Sequence, residues 1–316
     1  MIRHLLMPVD DATRRQFLVT GSVLAALGAA ACGDERGDAP DAATRTVDDA
    51  FGPVTVPVDP TRVIALYDDA LDHALALGFP VVAGPGERGS AVNPFPAHLP
   101  ADTVDDVERI ATLPPEEIDA EVIARIGPDL ILSNFVDDQA ESVRTRLSPL
   151  APVFSFDTYA DGWWAGFRAL AEAFGRTERL AEIRADLDRQ VTAAREALAG
   201  WRGRTAVMGT AMPDGGMELY HADFEPFEGV LVADLGLEPA AVLAGLEPFA
   251  TLSAERVGDV DADLAVLIQY GDNPIDELTA SPLWKPGTVV TVPSPQTYLG
   301  PYSCAALLDS LVEALS

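Results

Sequence analysis

Glu121-Val-Ile-Ala-Arg-Ile-Gly-Pro-Asp-Leu-Ile-Leu, residues 121–132, is answered by Glu255-Arg-Val-Gly-Asp-Val-Asp-Ala-Asp-Leu-Ala-Val-Leu, residues 255–267. In each, a glutamate opens a short amphipathic turn, and eight residues later Asp129 or Asp263 introduces an apolar run of strand type. Openings of buried strands with this composition are common in α/β proteins. Equal Glu-to-Asp spacing at one place in each half goes further and points to a duplication: two similar lobes, each presenting one carboxylate.

Outward from these two stretches, short apolar runs alternate with helical periodicity. Strands are expected at 54–56, 62–66, 81–83, 130–132 and 153–156, and again at 205–208, 217–220, 264–268 and 288–292. Helices are expected at 69–77, 118–126, 143–147, 227–235 and 305–315. Strand–helix alternation predicts an α/β fold with mainly parallel sheets and ligand loops at the carboxyl ends of the strands. Between the halves the pattern is helical almost without pause from Asp161 to Gly200, broken near Gly175. Leu180, Ile183, Leu187, Val191, Ala194 and Leu198 form one apolar stripe, with Thr177 as the expected N-cap and Gly200 as the C-terminal stop. A helix over 178–199 would run roughly 33 Å at 1.5 Å per residue, long enough to traverse both lobes and to restrict hinge motion. The expected organisation is a signal over 1–32, a tether over 33–46, a first lobe over 47–160, connecting helices over 161–201 and a second lobe over 202–316.

The first 32 residues read as an address. Thr13-Arg14-Arg15-Gln16-Phe17-Leu18-Val19 is a twin-arginine signal, and the apolar core Phe17–Ala31 is too short for a permanent membrane span. Ala29-Ala30-Ala31-Cys32 has the shape of a lipoprotein cleavage box, with Ala29 at the place of the usual leucine, so Cys32 is the expected lipidated residue. Export by the twin-arginine route and a lipid anchor on the outer face of the cytoplasmic membrane follow as expectations. Cys304 then stands alone, which excludes an internal disulfide. Residues 33–44 (GDERGDAPDAAT) are small, polar and proline-containing, a composition suited to a flexible tether. The formal net charge is −29, which argues against nucleic acid and against charge-driven binding to anionic lipid. Lys285 is the single lysine.

The chain resembles the iron-siderophore and cobalamin-binding lipoproteins of ABC importers. The residues that carry the likeness are Val56-Pro57, Pro60-Thr61-Arg62-Val63, Ala76-Leu77-Gly78, Glu121 and Pro128-Asp129-Leu130 in the first half. In the second they are Leu235-Gly236-Leu237, Leu252-Ser253-Ala254-Glu255, Ser281-Pro282-Leu283-Trp284 and Val290–Pro293. The resemblance spans residues 45–316 and implies two α/β lobes joined by a single long helix, with ligand in the cleft between them. It also implies that Glu121 and Glu255 are the surface glutamates, one per lobe, that pair with arginines of the permease. Two fixed charges far apart set docking orientation and encounter rate more than affinity. The implied partners are an ABC permease and its ATPase, with the binding protein a monomer.

For the ligand, the scarcity of positive charge is informative. From Thr205 to Ser316 the only cations are Arg256 and Lys285, and in the first lobe Arg88 and Arg109 are the basic residues expected in strand-end loops. A triply anionic ferric catecholate would need several converging arginines, so a neutral or cationic ferric hydroxamate suits the cleft better. Cleft candidates are Tyr67, Asp68, Phe135 and Trp163 from the first lobe and connector, and Tyr220, His221, Phe249, Tyr270 and Tyr298 from the second. Tyr298 falls where hydroxamate-binding members carry a pocket tyrosine; the tryptophan they have shortly before it is here Gln296. An aromatic lining with few polar anchors fits a bulky chelate. Cobalamin and haem are alternatives in the same class.

A bare-metal binder would recruit His73, His98 and His221, but none has paired ligand spacing. No enzyme motif of the GxSxG, HExxH or GxxxxGK[ST] type occurs, and adjacent acids such as Asp68-Asp69 and Asp105-Asp106 read as solvated turns or caps. The expectation is a binding protein without a resident metal or cofactor, not an enzyme.

Overall fold

The computed structural model describes residues 43–159, 162–221, 226–246, 250–294 and 299–316. The chain opens with an antiparallel hairpin, β1 (Thr44–Asp49) and β2 (Gly52–Pro57), then builds the first lobe. There follow β3 (Val63–Ala65), α1 (Asp68–Ala76), β4 (Val81–Gly84), α2 (Ala101–Val104), β5 (Glu108–Arg109), α3 (Ala120–Ile126), β6 (Leu130–Ser133), α4 (Asp138–Leu147) and β7 (Val153–Ser155). Its five strands are all parallel in the order β5-β4-β3-β6-β7. Helices α5 (Trp163–Ala173) and α6 (Thr177–Ala197) lead to the second lobe. That lobe holds β8 (Thr205–Ala211), β9 (Met217–Leu219), β10 (Glu238–Pro239), β11 (Ala250–Leu252), β12 (Leu264–Gln269), α7 (Ile275–Thr279), β13 (Thr288–Pro293) and α8 (Pro301–Leu315). Its sheet runs β11-β9-β8-β12-β13, with β8, β12 and β13 parallel, β9 and β11 antiparallel, and β10 beside β8. The α/β architecture with mainly parallel sheets is as the alternation predicts.

The two repeated aspartates do the same work in both lobes. Asp129 accepts the Thr61 backbone N–H and hydroxyl at 2.7 Å each and the Arg62 N–H at 2.9 Å. Asp263 accepts the Thr205 N–H at 2.9 Å and the Thr205 hydroxyl at 3.0 Å. Each carboxylate thereby ties the start of one central strand to the start of its parallel neighbour. A one-residue slip would turn every side chain to the wrong face, so these ties set the register. The repeat is therefore structural at its aspartates, while Glu121 and Glu255 stay exposed.

Several boundaries differ from expectation. Residues 44–46, assigned to the tether, are the first half of a strand paired with β2. The hairpin is held on the first lobe by Asp49, which takes the Ser155 N–H at 3.0 Å and pairs with Arg144. Thr177 is the first residue of α6 rather than its cap; Arg176 occupies the cap position without capping the helix through its side chain, which donates instead to the Leu77 and Gly78 carbonyls. Gly200 is not the stop either, because the chain tightens into a 3-10 turn at Ala199–Trp201 and reverses at Gly203, where φ is +76°. The helix expected at 227–235 is wound as a π-helix over Pro226–Asp234.

The connector also has a companion. Along α6, Leu180, Ile183 and Leu187 pack into the first lobe's core and Val191 and Ala194 into the second's, as the stripe predicts. Helix α8, expected to belong to the second lobe alone, does likewise: Cys304 joins the first core, and Leu307, Leu308 and Leu311 the second. Its N-terminus is seated on α1. Asp72 accepts the Tyr302 N–H at 3.0 Å and the Ser303 N–H at 2.9 Å, so a carboxylate only 1% exposed satisfies two of the free amides of α8. Gly300 is forced by this seat, since a Cβ there would lie 2.5 Å from the Asp72 carboxyl carbon. Asp72→Ala should orphan both amides and lower unfolding stability by about 2–3 kcal/mol, whereas Asp72→Asn keeps an acceptor and should cost less. Urea denaturation of the two variants checks the order.

Candidate ligand-binding cleft

A cavity of about 220 Å³ opens between the lobes, lined by Tyr67, Asp68, Asp69, Arg88, Leu113, Phe135, Tyr159 and Tyr270. All but Tyr270 come from loops at the carboxyl ends of first-lobe strands or from the start of α1. Tyr67 ends the segment after β3, and burial together with the Asp137 charge pushes its hydroxyl up to about 12, so it stays protonated. Its ring and that of Phe135 meet edge to face at a centroid distance of 4.5 Å, and Phe135 stacks on Tyr159 at 5.5 Å. These three rings form a continuous aromatic wall.

Two acids join the lining: Asp68, which is expected at the cleft, and its neighbour Asp69, which reads in the sequence as part of a solvated turn. Asp69 is buried; it accepts from Asn134 Nδ2 and the Tyr159 hydroxyl at 3.1 Å each and from the Leu299 N–H at 3.2 Å. Burial raises its carboxyl to about 6, with these hydrogen bonds pulling the other way. Asp68 is raised further, to about 7, by burial and then by the adjacent Asp69 charge, partly offset by backbone N–H groups including that of Arg88.

Arg88 has φ +61°, the one non-glycine residue in the left-handed region among the described residues. Such strain persists where the surroundings over-determine it and concentrates at functional sites. Here the Asp68 carboxylate holds the Arg88 backbone, and Gly89 lies so close to Leu113 that a Cβ would come within 2.6 Å of it. The guanidinium reaches the second lobe, 5.6 Å from the centroid of the Tyr270 ring. Tyr270 and the buried Tyr220 share a hydroxyl–hydroxyl bond of 2.8 Å, so Tyr220 supports the cleft from one layer back.

Of the residues expected at the site, Tyr67, Asp68, Arg88, Phe135 and Tyr270 converge on the cavity. Trp163 does not: it is 1% exposed and stacks on His73 inside the first core, because the helix it opens turns that face inward. Arg109 lies exposed on β5 with its guanidinium 5.9 Å from the Phe95 ring, outside the cavity lining, and half-buried His221 is outside it too. Phe249, Tyr298 and Cys32 fall outside the described residues. Asp69, Leu113 and Tyr159 are the additions. A strand-end rule applied after β7 would have found Tyr159, and only tertiary burial distinguishes Asp69 from a surface acid.

The histidines do not converge on a metal. His73 is fully buried among Phe156, Trp163 and Phe167, which lowers its imidazole to about 4 and keeps it neutral. His98 lies 3.7 Å from Asp72. Among the described residues no group of three or more His, Cys, Asp or Glu side chains could hold a metal ion.

Comparison with known proteins adds to this geometry. A family model described as periplasmic binding protein matches residues 63–290. The chain belongs to the periplasmic binding protein family. This family is one of binding proteins, which bears out the non-catalytic reading. Among curated relatives of this family member, the probable siderophore-binding lipoprotein YfiY of Bacillus subtilis is 28% identical over 259 residues, covering 77% of this chain and 76% of its own. The ferric enterobactin-binding periplasmic protein FepB of Escherichia coli is 27% identical over 188 residues, 58% of this chain and 56% of its own. Among solved structures, Staphylococcus aureus SirA complexed with staphyloferrin B matches with TM-score 0.69 at 21% identity, covering 86% of this chain and 98% of its own. The FhuD protein from S. pseudintermedius matches with TM-score 0.68 at 18% identity and the same coverage. These likenesses establish the two-lobed fold with a cleft.

The raised acids of this periplasmic binding protein have a consequence for stability. Asp68 binds its proton more tightly folded than unfolded, so its contribution favours folding below about pH 4 and is lost as pH rises toward 7. Asp69 acts in the same direction over a narrower window, and His73 in the opposite one. Asp68→Asn removes the buried charge. It should raise stability at pH 8 by about 1–4 kcal/mol, taking about 1.36 kcal/mol per unit of displacement as the ceiling, with little effect at pH 4. Thermal unfolding of wild type and variant at the two pH values checks the sign.

Proposed function

We propose that this chain is the extracytoplasmic substrate-binding component of an ABC importer, capturing a ferric siderophore of hydroxamate type in the cleft. The observation that carries the reading is the composition of the cavity. An aromatic wall faces two carboxylates and a single arginine, a lining matched to a bulky neutral or cationic chelate and poorly matched to a trianion. The names of the relatives, siderophore-binding YfiY and ferric enterobactin-binding FepB, support the wider class. At about 220 Å³ the cavity is smaller than a typical small-molecule pocket of roughly 300–1,000 Å³, so the lobes part slightly or the chelate protrudes past exposed Tyr159 and Leu113. Two helices crossing both cores favour a small motion over a wide swing.

Delivery to a permease and its ATPase would use Glu121 and Glu255. Both are exposed in the first turn of a helical segment. Asp119 caps the segment beginning at Ala120, accepting the Glu121 N–H at 2.8 Å. The Glu255 carboxyl is held below its ordinary range by its own backbone N–H and by Ser253, so its charge is secure. Export through the Arg14-Arg15 signal and anchoring through a lipidated Cys32 complete the reading, with the binding protein acting as a monomer.

Competition between a ferrioxamine and a ferric catecholate should favour the hydroxamate by about tenfold, roughly 1.4 kcal/mol. A clear catecholate preference, the alternative that the FepB likeness raises, would overturn the ligand class and leave the importer intact. The double variant Glu121→Ala, Glu255→Ala should keep ligand affinity within a few-fold and sharply reduce uptake by cells, and a large loss of affinity would remove the docking assignment. Cys32→Ser should move the protein out of the membrane fraction.

A further inference from the structure

The two acids at the back of the cavity are not equivalent. Asp69 has both oxygens engaged, by Leu299, Asn134 and Tyr159. Asp68 has its Oδ1 buried and without a hydrogen-bond partner. Leaving a charged acceptor unpaired away from water is costly, and the local residues make it more so: Asp69 and Glu87 both add negative charge around it. The nearest cation does not relieve this. Arg88 serves Asp68 only through its backbone N–H, while its guanidinium extends to Tyr270 on the other lobe. Tyr67, Phe135 and Tyr159 line the same cavity as Asp68, and aromatic rings attract cations.

From this we infer that the cleft selects chelates carrying a free ammonium group, which enters between the aromatic wall and Asp68 and donates to the unpaired carboxylate oxygen. The inference rests on the hydroxamate-siderophore reading and narrows it to a cationic substrate class. An ammonium suits the place better than a guanidinium, being compact, with three rotatable donors on a flexible stem. A metal ion suits it less, since one of the two carboxylates is already saturated by protein donors and no further ligand group converges among the described residues. A hydroxyl would supply a donor but no charge to offset Asp69 and Glu87.

The test uses two probes with the same iron centre: ferrioxamine B, which ends in a primary ammonium, and its N-acetyl derivative, in which that charge is removed. Calorimetric titration of the purified full chain should show ferrioxamine B binding about tenfold or more tighter, the scale of a hydrogen bond to a charged group. In Asp68→Asn the ratio of the two affinities should fall to near one. Asparagine imitates the protonated acid, so the variant should fold at least as well as wild type, and a variant-free result comes from the wild-type ratio. Equal affinities in the wild type would overturn the ammonium subsite and leave the siderophore reading standing. Discrimination that survives in Asp68→Asn would overturn the role of Asp68. Failure of both probes while a ferric catecholate binds would overturn this inference and the hydroxamate reading together.

Discussion

Helix α1 carries three acidic side chains, Asp68, Asp69 and Asp72, at the junction of the two lobes, and the arrangement of the molecule follows from where each finds its hydrogen bonds. Asp72 takes the first amides of α8, and Asp69 takes the Leu299 N–H just before them. A helix whose apolar face serves both cores is thereby fixed at its start to the first lobe. Desolvated carboxylates are tolerable only when donors surround them, so α8 cannot leave α1 without exposing two acids and several amides at once. Asp68 and Asp69 both line the cleft, and of the two only Asp68 is left incompletely paired.

The same economy governs the sheets. Parallel strands need a long crossover and have no tight turn to set their register. The chain sets it with an aspartate at the foot of one strand and a threonine at the foot of its neighbour, once per lobe. Rigid sheets then hold the strand-end loops in place. Tyr67, Phe135 and Tyr270 are aimed at one cavity because each follows a central strand, not because the loops themselves are ordered.

Strain and unpaired charge collect in a few residues around Arg88 and Asp68. A left-handed arginine, a carboxyl raised to about 7 and a glycine pressed against Leu113 lie within one loop and the helix end beneath it. A fold selected for stability alone would relax each of them. Their retention at the mouth of a cleft is the stability–function compromise expected of a binding site.

Local periodicity by itself determined the alternation of strands and helices, the bridging stripe on α6 and the two-lobed plan, because these depend on the spacing of apolar residues along one stretch of chain. It also showed five of the cleft residues, since the loops that follow parallel strands gather at the sheet's carboxyl edge. Tertiary structure alone decided the rest. Trp163 looks like a cleft residue in sequence and is core, because the rotation of α5 about its axis is set by the packing of Trp163 and Phe167 against His73 of α1. Asp69 looks like a solvated acid and is buried, because the segment that covers it, beginning at Leu299, lies 230 residues away along the chain. Contacts of that separation leave no periodic trace in the sequence; they exist only once both lobes and α8 have closed on one another.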